Sequence, residues 1–415
     1  GDCDHIIYLF VDTPLLDVDA ARSMVELHER EHAEYTCGEG YPYGMVPEVL
    51  HPVILPRLLA LAGKQRDISR TSLFDLLSVE INSFDIETQF APRDLKPRRL
   101  QLSTAVRRDA LLVQRLLERA GPRWGFDRLC EILEQEPAVV RTLPAYLEVE
   151  LTSEHGGSCA YSPLPGVTRA RGRMEFACYR DILAVMVDFA GDLHVSLSLL
   201  GEPLLHPEIR RVMEHTVSVG GVHLVLETDG KRFDPGFTEF ACTLPPERFS
   251  VIFQVDAVSQ PAYSLVHGGD LGKVERNARY YLSRDRGNAY VQLVRMDCNE
   301  EEMLPFFDRW EGEGARVIIQ KYNAYLGLLP AQGGPDMSPL ERHPCWHLQR
   351  DVAVFHDGLV PRCRQDVNGA YPLGRLPGET VDAVWREGER FYLEHCSGRY
   401  DSSCRACDEY YTYSF

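Results

Sequence analysis

The sequence predicts an α/β fold. Its centre is a parallel sheet, a partial (β/α)6 barrel, with a small Cys-rich C-terminal domain and an N-terminal α/β fragment. Three observations carry this reading. Six short apolar or alternating runs between residues 147 and 330 are separated by amphipathic stretches, the rhythm of parallel strands joined by crossover helices. The rhythm breaks at Gly333-Gly334-Pro335. Beyond that point lie five of the twelve cysteines, from Cys345 onward.

Size and charge narrow the options. At 415 residues the chain exceeds one ordinary core, which predicts two or three domains. We divide it at 1–75, 76–146, 147–330 and 331–415. A formal charge of −18 repels polyanions, so nucleic acid is not expected as a partner. No apolar run is long enough to span a membrane; the stretch from 182 to 205 is interrupted by Asp188, Asp192 and Glu202. The opening Gly-Asp-Cys-Asp has no basic leader, so no signal peptide is expected and a cytoplasmic location follows. In that compartment clustered cysteines point to metal or cluster ligation. The scattered Cys3, Cys37, Cys130, Cys178, Cys242 and Cys298 read as small core residues.

Each element has its own signal. Residues 6–10 are continuously apolar, as in a strand buried on both faces, and end at Asp12-Thr13-Pro14. An Asp at such a strand end is a common active-site position. Residues 20–34 read as a helix, 37–44 as a Gly/Pro/Tyr loop and 53–63 as a Leu-rich helix. Residues 76–146 form a mostly helical connector. Within it Leu111, Leu112, Leu116 and Leu117 share one face, Arg115 and Arg119 turn to water, and Gly121-Pro122 is the stop. Strands are expected at 147–152, 194–200, 222–228, 250–256, 289–296 and 316–321, and helices at 175–190, 207–219, 271–283 and 301–313.

The most specific constellation is C-terminal. Twelve residues separate Cys345 from Gly358, four more separate Gly358 from Cys363, and Cys404 and Cys407 form a C-x2-C pair before the aromatic tail 410–415. His356-Asp357-Gly358 reads as a turn that returns Cys363 toward Cys345. Four thiolates from two segments suit a [4Fe–4S] cluster or zinc. The bland reading is four unrelated core cysteines, and Cys396 is spare. The pattern resembles the SPASM/twitch extension of radical S-adenosylmethionine enzymes, which begins C-x(9–15)-G-x4-C. Of its continuation C-x2-C-x5-C-x3-C, only Cys404 and Cys407 fit, and Tyr413 stands where the next Cys would fall. The resemblance implies one auxiliary cluster.

The segment before it resembles the radical S-adenosylmethionine barrel. Gly201-Glu202-Pro203-Leu204-Leu205-His206-Pro207 is similar to the family's G-E-P-L-x-H-P stretch, Glu227-Thr228-Asp229-Gly230 to its T-N-G turn, and Asp256 ends a strand where the family often faces the cofactor ribose. The resemblance implies Gly201, Glu202, Pro203, Asp229 and Asp256 as cofactor-binding residues; a carboxylate suits the cofactor's ammonium, and close backbone approach needs Gly. In the loop after the first strand the family has C-x3-C-x2-C. Here His155, Cys159 and Ser162 occupy those registers. Imidazole replaces thiolate in some clusters, whereas a serine hydroxyl is a far poorer ligand. The barrel is therefore expected to be non-catalytic, with no assigned catalytic residue.

Residues 1–75 resemble part of a sugar-nucleotide cytidylyltransferase-like domain, through Asp12-Thr13-Pro14-Leu15 and Tyr41-Pro42-Tyr43-Gly44-Met45-Val46-Pro47-Glu48-Val49. Asp12 and Glu48 would be its metal–nucleotide residues, and the phosphate-cradling Gly-rich loop is not in the sequence. This domain order resembles the spiro-SPASM group of spirochaete proteins. The expected function is an iron–sulfur protein with metal ligands Cys345, Cys363, Cys404 and Cys407, and enzymatic activity is left undecided. At the barrel mouth, Glu202, Asp229, Asp256, Gln292 and Arg295 would receive S-adenosylmethionine, another small polar molecule or a peptide. Two alternatives remain open: an active radical enzyme modifying a peptide or sugar nucleotide, and a scaffold protein stabilised by zinc.

Overall fold

The computed structural model describes residues 3–63, 73–121, 124–332 and 338–412. Gly333-Gly334-Pro335, Pro122 and Tyr413 lie outside the described residues. The chain divides into two compact units, Gly1–Thr142 and Leu143–Phe415.

The first unit contains a four-stranded sheet of β1 (Ile6–Tyr8), β2 (Tyr35–Glu39), β3 (Glu48–Leu50) and β4 (Ile86–Phe90), ordered β1-β3-β2-β4. Helix α1 (Val18–Arg30) starts where Asp17 accepts hydrogen bonds from the Asp19 and Ala20 amides, which satisfies two of the free donors of its first turn. Around the sheet lie α2 (Leu55–Ala62), α3 (Leu73–Ser78), α4 (Arg107–Ala120) and α5 (Phe126–Gln135). Tyr35, Leu50, Ile54, Leu58, Leu77 and Phe84 fill one core.

Two expectations fail here. The run at residues 6–10 is not a doubly buried strand: β1 lies at the sheet edge, antiparallel to β3, and Ile7 is 52% exposed. Continuous apolar sequence gives burial only where both faces are covered. On α4, Leu117 is exposed while Leu112 and Leu116 are buried; Arg115 donates to the Val139 and Arg141 carbonyls instead of facing water. The segment 76–146 also carries β4, which pairs in parallel with β2.

The second unit is built on a seven-stranded sheet. Strands β5 (Tyr146–Val149), β6 (Leu193–Ser196), β7 (Val222–Thr228), β8 (Phe249–Gln254), β9 (Ala289–Arg295) and β10 (Arg316–Lys321) follow one another in space as in sequence. Each pairs in parallel with the next. Parallel neighbours require crossovers, supplied by α6 (Phe176–Ala190), α7 (Ile209–Ser218), α8 (Pro235–Ala241), α9 (Gln260–Val266), α10 (Leu271–Leu282) and α11 (Met303–Gly312). The six strands and four long helices fall within a few residues of their expected places. The short α8 and α9 were not anticipated, although each has a readable start: Asp234 before Pro235, and Ser259 before Gln260-Pro261.

After α12 (Trp346–Arg350), β11 (Asp351–Val354) joins the same sheet beside β5, again in parallel. Gly358, at φ +83°, closes the turn into β12 (Leu359–Pro361); a Cβ there would lie 2.3 Å from the Leu376 carbonyl oxygen. Strand β12 pairs with β13 (Pro372–Arg375), followed by α13 (Val381–Cys396) and α14 (Ser402–Ala406). Val352, Val354, Val384 and Trp385 share one hydrophobic core with the sheet and its helices, so the C-terminal segment is part of this unit's interior. Among the described residues no helix is long and apolar enough to cross a membrane.

Candidate functional site

Singly wound parallel strands point all their C-terminal ends to one side, and there a pocket of about 90 Å³ opens. The loop after β5 contributes His155, Cys159, Tyr161 and Ser162; the loop after β6 contributes Gly201 and Glu202. Glu227, Gln254, Gln292 and Lys321 come from strands β7 to β10, and Arg364 and Glu409 from the C-terminal segment. Gln254 and Gln292 are direct partners across the β8–β9 ladder. Gln254 Nε2 donates to Glu227 Oε2 at 3.3 Å. Arg364 pairs with the buried Glu148 at 2.9 Å, which anchors its guanidinium under the pocket.

The residues expected to bind a cofactor divide. Glu202 is on the wall and 4% exposed. Its Oε1 accepts from the Leu204 amide and the Thr228 hydroxyl, and its Oε2 from the Asp229 amide at 2.8 Å. Burial, followed by the neighbouring Asp229 carboxylate, pushes its carboxyl up to about 7. Asp229 is not on the wall; it accepts from the Lys231 amide and pairs with Lys231 Nζ at 3.3 Å. The close approach that Gly201 serves is to the chain itself, since a Cβ there would lie 2.0 Å from the Thr152 carbonyl oxygen. Pro203 opens a short 3-10 turn capped by Glu202. Arg295 is bound by Glu300 through two 2.5 Å contacts and does not line the pocket.

Asp256 is buried behind the wall, at 0% exposure and φ +61°. Its Oδ1 accepts from the Val294 amide at 2.5 Å, and its Oδ2 from Tyr161 Oη at 2.8 Å and His267 Nε2 at 2.6 Å. Its carbonyl accepts from Asn299 Nδ2. Both carboxylate oxygens are therefore engaged by protein donors, leaving the side chain turned inward rather than toward a ribose.

His267, which no sequence motif marks, caps α9 and carries this network to the loop after β5. Burial alone would raise the Cys159 thiol, but hydrogen bonds with His155 and His267 outweigh it and bring the thiol down to about 7. Burial would lower His267; Asp256 and Cys159 outweigh that and raise it to about 9. The two shifts have the directions that favour a thiolate beside an imidazolium. His155 is raised by the same thiol, and its Nδ1 faces the Gly157 carbonyl at 3.0 Å. Ser162 Oγ accepts from the Leu164 amide. Cys159 is the one cysteine on the pocket wall among the described residues.

The four C-terminal cysteines act on one another's ionisation in pairs. Cys345 is 8% exposed; its thiol is raised by burial and then by the thiols of Cys407 and Cys363. Cys404 and Cys407 are both pushed up to about 12, by burial first, with Cys363 among the further causes for each. Backbone amides point at these sulfurs: His347 and Leu348 at Cys345, Gln365 and Asp366 at Cys363, and Glu409 at Cys407. The buried Arg362 guanidinium acts on Cys363 and Cys404, and its partner is Asp401. All four are free of disulfides. Among the described residues no three His, Cys, Asp or Glu side chains are grouped to hold a single metal ion. Cys396 ends α13.

In the first unit the two motif segments meet. A Cβ on Gly44 would lie 2.6 Å from Thr13 Cγ2, so only Gly lets these loops pack. Asp12 Oδ2 accepts from Ser103 Oγ at 3.0 Å. Glu48, on β3 beside Tyr35, is pushed up to about 7 by burial.

No family model matches the chain. An uncharacterized protein of Treponema pallidum (strain Nichols) is 32% identical over 360 residues, covering 83% of this chain and 98% of that one. Among solved structures, Streptococcus suis SuiB bound to precursor peptide SuiA superposes with a TM-score of 0.54 at 11% identity, over 69% of this chain and 74% of that one. SuiB bound to S-adenosylmethionine gives 0.50 at 12% identity, over 72% and 80%. The likeness shows that this chain shares the fold of SuiB, a mixed α/β fold with a parallel sheet. By its identity and near-complete coverage, the chain belongs to the same family as the Treponema pallidum protein.

Proposed function

We propose that this chain is an iron–sulfur protein that holds one [4Fe–4S] cluster on Cys345, Cys363, Cys404 and Cys407, on a partial barrel whose mouth binds a small polar ligand without radical chemistry. What supports the reading is that each of the four thiols is linked in its ionisation to at least one other, with backbone amides aimed at three of them and Arg362 acting on two. Amides and a guanidinium of this kind favour sulfur in its ionised, ligating form. When bound, such a cluster stores one electron and ties α12, the β12 end and α14 together.

At the mouth, His155, Cys159 and Ser162 provide one thiol where a cluster of the radical type takes three. The ligand for this pocket is a small molecule or a peptide segment rich in hydrogen-bonding groups; S-adenosylmethionine is one candidate, and Glu202 is a wall carboxylate suited to its ammonium. Glu227, Gln254, Gln292 and Arg364 orient such a ligand, and a reducing cytoplasm keeps the thiols available.

Metal analysis of oxygen-free reconstituted protein tests the reading. We expect about four iron and four sulfide per chain, from the stoichiometry of a single cubane cluster. Near eight of each, together with 5′-deoxyadenosine from S-adenosylmethionine and dithionite, would establish an active radical enzyme instead. Zinc without acid-labile sulfide would establish the scaffold.

A further inference from the structure

We propose that Cys159, His267 and Asp256 form a nucleophile, a proton carrier and a positioning residue that act on the carbonyl carbon of a small polar amide or ester held in the same pocket. The inference rests on the reading above in one respect: the loop after β5 must carry no cluster, so that the Cys159 sulfur is free.

The geometry is that of a relay. Asp256 Oδ2 accepts from His267 Nε2 at 2.6 Å, which fixes the ring and its tautomer. His267 is 1% exposed, and its other nitrogen, Nδ1, has no conventional hydrogen-bond partner. The Ala160 amide donates to the Val266 carbonyl at 2.8 Å, which seats the residue after Cys159 against the residue before His267 and brings the two side chains to the same place. Cys159 is half-buried and lies on the pocket wall, where an incoming ligand can reach it. Asp256 sits in left-handed backbone, which costs of the order of 1–3 kcal/mol unless the surroundings impose it. Four hydrogen bonds to its side chain and carbonyl impose it here. Such strain concentrates where a side chain must be aimed.

The chemistry of the wall selects among thiolate reactions. Disulfide exchange needs a second thiol, and Cys159 is the one cysteine on the wall among the described residues. Phosphoryl transfer needs an anion cradle, whereas Glu202, Glu227 and Glu409 line this pocket and its cations Lys321 and Arg364 are already paired with Glu409 and Glu148. A neutral carbonyl is repelled by neither, and Gln254 and Gln292 can hydrogen-bond an amide or hydroxyl group beside it.

The step balances without a further reagent except water. The Cys159 thiolate attacks the carbonyl carbon and forms a C–S bond. The C–N or C–O bond breaks, and the leaving amine or alkoxide takes the His267 proton. Water then attacks the thioester as His267 removes its proton; the carboxylic acid leaves and ionises, and the thiolate is regenerated.

The groups that set the sulfur's ionisation are His155 and Tyr161 on its own loop, Tyr263 and His267 on and after α9, Asp256 at the end of β8, and Tyr322 after β10. We would treat the full-length, cluster-loaded protein with p-nitrophenyl acetate in the absence of oxygen. Nitrophenolate release, the acetylated residue by peptide mass and the iron count would be read on one sample. The expected result is a burst of roughly one equivalent, as in acyl-enzyme accumulation, with acetyl on Cys159. Cys159→Ser should abolish the burst, and His267→Gln should slow it at least tenfold. Asp256→Asn should move its pH midpoint upward, a readout that a purely structural role would not shift. If His267→Gln or Asp256→Asn fails to fold, the wild type still decides: at neutral pH iodoacetamide should label Cys159 ahead of the exposed Cys3 and Cys298. No burst and no preferential labelling, with iron near four, overturns the inference and leaves the cluster assignment standing. A burst that survives Cys159→Ser also overturns it. Iron near eight with Cys159 protected overturns both.

Discussion

His267 Nε2 lies 2.6 Å from Asp256 Oδ2, and both side chains are at most 1% exposed. Two such groups leave water only if the rest of their hydrogen bonding is met, and Tyr161 and the Val294 amide meet it for the carboxylate. The pair links the end of β8 to the end of α9 and, through Cys159, to the loop after β5.

Removing the charge from this hub should be felt in folding as well as in reactivity. Asp256→Asn keeps the volume but replaces one acceptor by a donor facing other donors. We expect a loss of about 3–5 kcal/mol, the range for breaking a buried pair. Guanidinium unfolding followed by circular dichroism would measure it; an unchanged midpoint would contradict the network.

Gly201 tests the backbone contact between the loops after β5 and β6. A methyl group would meet the Thr152 carbonyl oxygen at 2.0 Å and that of Glu154 at 2.8 Å, and both are main chain. Gly201→Ala should therefore lower stability by roughly 2–4 kcal/mol, as overpacking against rigid neighbours does. Gly220→Ala, with open space around its Cβ position, is the control and should cost far less.

Glu150 gives a pH dependence. It is 0% exposed; burial opposes its ionisation, but hydrogen bonds from His356, Arg169 and Ser153 outweigh burial and hold its carboxyl at about 2. Its folded pKa is below the unfolded one, so its stabilisation is complete above about 4.5 and lost as pH falls toward 2. That difference corresponds to about 3 kcal/mol. Glu150→Gln should be less stable than wild type at pH 7, and the gap should narrow on acidification. A gap that stayed constant from pH 7 to pH 3 would show that ionisation of Glu150 contributes nothing.

The C-terminal thiols make a simple set of variants. Cys363→Ala or Cys407→Ala should cut the iron of the reconstituted protein to well under half, because the remaining three thiols no longer close the site. Cys178→Ala, on α6, should leave it unchanged. Equal iron in all three variants would remove Cys363 and Cys407 from the ligand set.

Much of this was legible in the chain. The six strands β5 to β10 announce themselves through short or alternating apolar runs, and the helices between them keep a 3.6-residue period. Glu202 was found on the pocket wall from a motif with a physical reason. Other positions were misread for want of context. Arg295 looked like a strand-end ligand group, but Glu300, five residues on, binds it. Leu117 belongs to the apolar pattern of α4 and yet faces solvent, since periodicity gives the face but not how far the neighbours extend over it.

The sequence alone determined the order of strands β5 to β10 and of the four long helices between them, the parallel sheet, and the spacing of thiols that makes the C-terminal segment a candidate cluster site. These are local properties: hydrophobic period, turn residues and donor type are written along the chain. Only the tertiary structure decided that His267 reaches Asp256 and Cys159, that Arg364 enters the pocket from the C-terminal segment, and that Asp256 points inward. Those relations join residues from 11 to more than 200 positions apart. Their geometry comes from strand register and helix packing, which no local pattern encodes.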